Sequence, residues 1–405
     1  LRLAVPSPEP IFAIPKEEPD LTEAASLTIA AATRPGGAGC PDPVALLASP
    51  APSLSEVREA LADLGPEGTS TLLRRLIHER VDGLAWRTLA SLPIDTVDPW
   101  LRATLRRRHE ARAAVTLTQG LALAEILESL QRAGVPVIVH RGLRAVEWIY
   151  KDAGARPFTD HDLLIRPGDA ALARAVLGRL GFEALSPGFF RRATVFVDLH
   201  VDPLGAVRRP ARSRLFPIDL EALFRDGAEG LVAGGPAILL RPEDELVLMA
   251  IHVVKHSFDR LIRSADLAHL LAFQGRTLSW DRVRSQAGRF RATRLLTLAL
   301  AALEPLGVRP PGDHGADEAA LGGLERLLLE RVRRLRPLPY AGEIVMALQA
   351  RTLGDRLRFA WDALFPRDGA PAAPAAGVPA RSSGVVLLED AARARRDRRA
   401  GNAAR

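Results

Sequence analysis

The run Thr159-Asp160-His161-Asp162-Leu163, continuing into Leu164-Ile165, sets two carboxylates two residues apart at the head of a strand-like segment. Residues i and i+2 of a β-strand point the same way, so Asp160 and Asp162 share one face, and His161, Leu163 and Ile165 the other. Paired carboxylates repel unless a cation neutralises them, and hard oxygen ligands of this kind suit Mg²⁺. The predicted chemistry is metal-assisted phosphoryl or nucleotidyl transfer. A second alternating run, Val195 to Val201, places Phe196, Asp198 and His200 on one face, with Asp202 following in phase. If it lies beside the Asp160 strand, Asp198 completes three carboxylates that can hold two Mg²⁺ ions against a triphosphate. The competing reading is an amphipathic edge strand carrying exposed polar residues.

A triphosphate also needs positive partners. Gly142 follows a strand and opens a helix, where a small residue lets backbone N–H groups approach a phosphate and the helix dipole favours an anion. A tight strand-to-helix turn would use the same glycine. Its neighbour Arg141 is either a phosphate ligand or a solvated turn residue. His252 and His256 lie four apart on one helical face with Lys255 beside them. That spacing suits zinc, but Val253 stands where the glutamate of a His-Glu-x-x-His metalloprotease motif would be. These three residues are expected to line the cleft opposite the carboxylates and to contact the nucleotide phosphates or base, with ordinary interdomain polar contacts as the alternative.

The elements that must position these residues follow from periodicity and capping. Residues 1 to about 52 carry ten prolines with little apolar pattern and are expected to lack order, apart from a short helix near 24–32. Ser53-Leu54-Ser55-Glu56 is a capping box that starts a helical region at 53–134, with helices at about 54–64, 69–91 and 98–133. An α/β core is expected at 135–241, with a buried strand at 135–139 and a short helix at 143–150. Strands at 160–166 and 195–201 and a helix at 169–180 complete a sheet of four or five strands. Helices at about 243–258, 263–274, 280–288, 292–305, 316–336 and 341–363 form a C-terminal helical domain at 242–365. An Ala/Pro-rich stretch and a basic tail, 366–405, are expected to lack order. The fold class is therefore α+β, a small mixed sheet flanked by two helical regions.

Composition bounds the partners. At 405 residues, 47% hydrophobic and 25% charged, the chain has ordinary globular composition. A formal charge of +7 would suit an anionic partner, but much of the surplus sits in the run Arg393 to Arg399, which reads as a solvated tail. Specific nucleic-acid binding is not expected, because the basic residues lack interleaved aromatic platforms. The single cysteine, Cys40, excludes a disulfide framework and a cysteine zinc cluster and points to a cytoplasmic setting. No apolar run approaches the roughly 20 residues of a membrane span. The chain opens on Leu1, so the natural start is expected at a non-standard codon or upstream.

The segment from Val137 to Ile165 resembles a known family. It combines a strand, Arg141-Gly142-Leu143, a helix ending in Trp148-Ile149-Tyr150, and Arg156-Pro157-Phe158-Thr159-Asp160-His161-Asp162-Leu163-Leu164-Ile165. This is similar to the uncharacterised nucleotidyltransferase family of the DNA polymerase beta superfamily, whose pattern runs Leu-Lys-Gly, a helix with Tyr, then Arg-Pro-Met-Ser-Asp-Ile-Asp-Leu-Leu-Val. Asp198-Leu199-His200 is similar to the family's Asp-Leu-His strand. His252-Val253-Val254-Lys255-His256, with Arg263 and Asp266-Leu267, is similar to its helical His-x-x-Lys-His and Asp-Leu segment. The resemblance spans about 55–305, with its specific motifs confined to 138–270. It implies a nucleotidyltransferase core, a helical companion domain, and Asp160, Asp162 and Asp198 as metal ligands. Arg141 replaces the family's lysine and His161 its apolar residue between the carboxylates. The substrates of the family are mostly unknown, so the resemblance names a reaction and not an acceptor.

The expected function is Mg²⁺-dependent transfer of a nucleoside monophosphate from a nucleoside triphosphate to a hydroxyl of a small molecule, peptide or protein. Arg141 and Gly142 would position the triphosphate, Asp160 and Asp162 would hold both metals, and Asp198 would orient or deprotonate the acceptor. Arg156 would brace the carboxylates or touch phosphate. A non-enzymatic alternative is a degenerate core acting as an adaptor, holding an acidic partner through Arg106-Arg107-Arg108 and the basic tail. A third reading takes His161-Asp162 as the pair of a metal-dependent phosphohydrolase with His140 and Asp266. That class sets its pair on a helix, whereas Pro157 and Pro167 bound a segment too short for one.

Overall fold

The computed structural model describes residues 42–205, 209–275, 277–310 and 318–364. The expected helix near 24–32, most of the proline-rich N-terminal stretch and the basic tail lie outside these residues. Within the stretch expected to lack order, Pro43–Ala48 forms a buried helix, capped by Asp42, whose carboxylate accepts from the Val44 amide at 2.9 Å. Leu46, Leu47 and Ala48 pack in the main core.

Seven strands form one mixed sheet in the order β3-β4-β5-β2-β1-β7-β6. They are β1 Ile138–Val139, β2 His161–Leu164, β3 Glu183–Ser186, β4 Phe189–Arg192, β5 Val195–His200, β6 Ala228–Val232 and β7 Gly235–Leu239. The sheet is larger than the four or five strands expected because two hairpins extend it. β3 and β4 flank Pro187-Gly188, and β6 and β7 flank Ala233-Gly234. Ala233 and Gly234 have φ of 54° and 81°, the paired positive values of a two-residue hairpin turn whose twist matches the strands.

Alternation along the strands divides the sheet between two cores. Val139 of β1, Leu163 of β2 and Val197 and Leu199 of β5 join Leu123, Ile126, Leu127 and Leu130 of the long helix Pro99–Arg132. Ile138 and Leu164, one residue out of phase, join the larger core built from the N-terminal helices and the helices after 242. The long helix is also the described helix that by length and apolar content could cross a bilayer, which the sequence reading had not anticipated. Its apolar stripe is packed against the sheet.

Helix boundaries depart from expectation where the backbone turns left-handed without glycine. The helix expected at 69–91 is two, Pro66–His78 and Asp82–Ala90. Arg80, at φ 59°, ends the first, and the Val81 amide donates to Leu76 O at 2.9 Å, closing it in a Schellman-type turn. The helix Pro242–Lys255, buried along almost its whole length, is the scaffold of the C-terminal half. Glycine at 342 lets the next layer approach: a Cβ there would sit 1.7 Å from Val254 O.

Candidate functional site

β2 and β5 are neighbours and parallel, with Asp162 opposite Asp198 and Leu164 opposite His200. The period of two then puts Asp162, Asp198 and His200 on the same face, opposite the long helix. His200 Nε2 lies 2.9 Å from Asp162 Oδ1 and 3.3 Å from Asp198 Oδ2. One ligand atom from each of these residues falls within 4.8 Å of the others. Two carboxylates and an imidazole at this separation are a donor set that fits a divalent cation.

Asp160 immediately precedes β2. Its carboxylate accepts from Thr159 Oγ1 at 3.0 Å and stands just outside the tight group. Burial, and then the Asp162 charge, raise its pKa. Asp162 behaves oppositely. Burial alone would raise it, but the Arg141 guanidinium, 3.2 Å from Oδ1, and the His200 hydrogen bond hold it well below the usual carboxylate range. Burial also works against charge on His200, yet the hydrogen bond to Asp162 and the neighbouring carboxylates raise it net.

Arg141 reaches this point because its backbone is unusual. Its φ of 63° with ψ of −141° is sparsely populated by residues with a Cβ, and Gly142 follows at φ 45°. The chain reverses sharply after β1, and the Arg141 side chain turns toward Asp162. The helix that opens at Gly142 is short: Gly142–Ala145 passes directly into a π-turn at Val146–Tyr150. This matches the short helix expected at 143–150, with its second half wound as a π-turn. What Gly142 supplies is the turn itself, at a positive φ that strains any residue with a Cβ.

The last turn of Pro242–Lys255 and the residue beyond it carry the opposing basic groups. Arg141 hydrogen-bonds His252 Nδ1. The rings of His252 and His256 are 4.4 Å apart. Burial, followed by the Arg141 charge, pushes His252 well down, and burial with the Lys255 charge pushes His256 to about 2. Both imidazoles are therefore uncharged. Burial and the charges of Arg141 and Arg212 bring the Lys255 ammonium down to about 7. Ser257 and Phe258, both at φ 56°, then bend the chain out of the helix beside this cluster.

Other expected residues are placed differently. Arg156 does not face the carboxylates of β2. It makes a buried bidentate pair with Asp266, with Nη2 to Oδ2 at 2.7 Å and Nε to Oδ1 at 2.8 Å. Tyr150 donates to the same carboxylate at 2.7 Å. His161 is buried against Phe158, with ring centres 5.6 Å apart, and burial pushes its imidazole down to about 4. It sits on the opposite face of β2 from Asp162, His140 lies 3.0 Å from Glu245, and Asp266 is engaged by Arg156. The phosphohydrolase arrangement therefore does not form. In the Arg106-Arg107-Arg108 run, Arg108 binds the buried Asp82 at 2.8 Å and Arg106 pairs with Glu110.

The residue that sequence reasoning did not assign to the site is His200. Its signal was present, since it alternates onto the Asp198 face, but imidazole proximity to Asp162 depends on β2 and β5 being parallel and in this register.

No curated protein and no solved structure matches the chain. The family model described as uncharacterised nucleotidyltransferase matches residues 66–306, more than half of the chain and including every residue of the carboxylate and basic groups above. The chain belongs to the uncharacterised nucleotidyltransferase family.

Proposed function

We propose that this protein transfers a nucleoside monophosphate from a nucleoside triphosphate to a hydroxyl group, with the β2–β5 carboxylates holding divalent metal ions. The observation that carries this reading is the pairing of Asp162 with Asp198 across a parallel ladder, their carboxylates meeting at His200 Nε2 beneath Arg141. Bound metal would supply charge neutralisation on the triphosphate and on the leaving pyrophosphate. The protein's own residues do the rest.

Arg141 and Lys255 place positive charge where the phosphates would lie, and the turn at Gly142 brings backbone close without a side chain in the way. Neutral His252 and His256 present polar ring edges that contact phosphate or base without a desolvation penalty for charge. Asp198, the more exposed of the paired carboxylates, orients the acceptor hydroxyl and takes its proton as the oxygen bonds to the α-phosphorus. The bond from that phosphorus to the bridging oxygen breaks and pyrophosphate leaves. Arg156, paired with Asp266, ties the loop before β2 to the helix Leu261–Gln274. A single cysteine fits a reducing, cytoplasmic setting for this chemistry.

A nucleotide-binding titration tests the reading. Wild-type protein should bind a non-hydrolysable triphosphate only with a divalent cation, and Asp162→Asn should lose that dependence while still unfolding in a single cooperative transition. Equal binding by both proteins, with or without metal, would favour the adaptor reading.

A further inference from the structure

We propose that His200 Nε2 is itself a ligand of the cation held by Asp162 and Asp198, and that this nitrogen makes the site select Mn²⁺ over Mg²⁺. The inference rests on the metal-binding part of the proposed function and not on the transfer reaction.

Three observations carry it. Within the tight donor group on this face, the third member after Asp162 and Asp198 is an imidazole; the nearby carboxylate Asp160 stands outside it. Its Nε2 is within 3.3 Å of an oxygen from each carboxylate, so the three groups meet at one point, where a bound cation takes the place of the proton that Nε2 shares with them. Strand register fixes that convergence: Asp198 and His200 are i and i+2 on β5, and Asp162 is the direct neighbour of Asp198 on β2. Ligand chemistry then separates the ions. Mg²⁺ prefers oxygen at about 2.0–2.1 Å and keeps its waters, whereas imidazole suits transition ions. Two carboxylates with phosphate oxygens completing the shell keep the site predominantly oxygen, which suits an octahedral ion tolerant of one nitrogen. Mn²⁺ is that ion. The Arg141 guanidinium on Asp162 Oδ1 lowers affinity for any cation alike and so does not set the preference.

The test is direct and needs no acceptor. Mn²⁺ is added to nucleotide-free full-length protein, and pulsed electron paramagnetic resonance reads nitrogen coupling to the bound ion. Wild type should show a histidine nitrogen coupling that changes isotope when the protein is grown on ¹⁵N-histidine. His200→Gln should lose the coupling, and its preference for Mn²⁺ over Mg²⁺ in competition should fall on the order of tenfold or more. His200→Asp should restore binding with the preference turned toward Mg²⁺. His252→Gln should retain the coupling, which separates the ligand from its histidine neighbour across Arg141. The inference is overturned if Mn²⁺ does not bind, if it binds wild type without nitrogen coupling, or if the coupling survives in His200→Gln. A wild-type protein that shows the coupling and transfers no nucleotide would sink the transferase reading and leave this one standing.

Discussion

At the scale of residues, the site is organised by unequal treatment of similar groups. Arg141 and His200 hold Asp162 ionised, while burial and the Asp162 charge push its neighbour Asp160 the other way. Asp162→Asn keeps the shape but removes the charge, so turnover should drop on the order of 10³-fold or more in a steady-state assay. A fall of less than tenfold would show that the charge is not used. Lys255 gives a pH signature. Held near 7 by burial and by Arg141 and Arg212, its ammonium is largely neutral above that pH in the free protein. A triphosphate beside it restores the charge, so binding takes up a proton and weakens as pH rises above about 7. Calorimetry in buffers of different ionisation enthalpy should detect that proton in wild type and not in Lys255→Arg, and equal uptake by both would remove Lys255 from the site. The carboxylates were legible in the sequence because Asp160, Asp162 and Asp198 alternate with an apolar face that demands a strand. The part played by His200 was not, since it depends on a contact across 38 residues.

At the scale of elements, the π-turn Val146–Tyr150 and the helix Leu261–Gln274 are tied by one buried network. Arg156 grips Asp266 with two parallel hydrogen bonds, and Tyr150 donates to the same carboxylate. Removing one member strands a buried charge, so Arg156→Met should destabilise by about 3–5 kcal/mol in urea unfolding. Adding Asp266→Leu should recover part of that loss, and a double variant no better than the single would show that the pair's charge is not what matters. Partners 110 residues apart leave no local pattern, so the sequence suggests the carboxylates or a phosphate for Arg156 and gives no sign of Asp266. The hairpins were missed for a different reason. β3 is mostly exposed, and β6 and β7 are threaded with Gly230, Gly235 and Pro236, which read as loop. Gly235 serves packing: a Cβ there would meet the long helix at Ala124 and Leu127 at 2.9–3.1 Å. The central strand β5 and the long helix Pro99–Arg132 were legible because alternation and helical periodicity are strongest where one face is buried and the other is not.

At the scale of the whole molecule, the N-terminal helix Pro43–Ala48 closes the larger core, and His269 holds it there by donating from Nε2 to Ala48 O at 3.1 Å. Burial pushes this imidazole down to about 4, against about 6.5 in an unfolded chain. A depressed histidine contributes stability that is full above about pH 6.5 and is lost as pH falls to about 4, up to about 3 kcal/mol. His269→Gln keeps a donor for Ala48 and removes the titration. Its melting temperature should therefore decline less steeply than wild type between neutrality and pH about 4, and identical slopes would contradict that assignment. The N-terminal helix escaped the sequence reading because six residues beside many prolines carry too little periodicity to stand out. The central claim, that the molecule moves a nucleoside monophosphate, is tested most directly by where a label goes. Wild-type protein given a divalent cation, cell-extract acceptors and triphosphate labelled at the α-phosphate should transfer that label, and triphosphate labelled at the γ-phosphate should leave no label on any acceptor. Transfer of the γ-label, or α-label transfer undiminished in Asp162→Asn, would contradict the account.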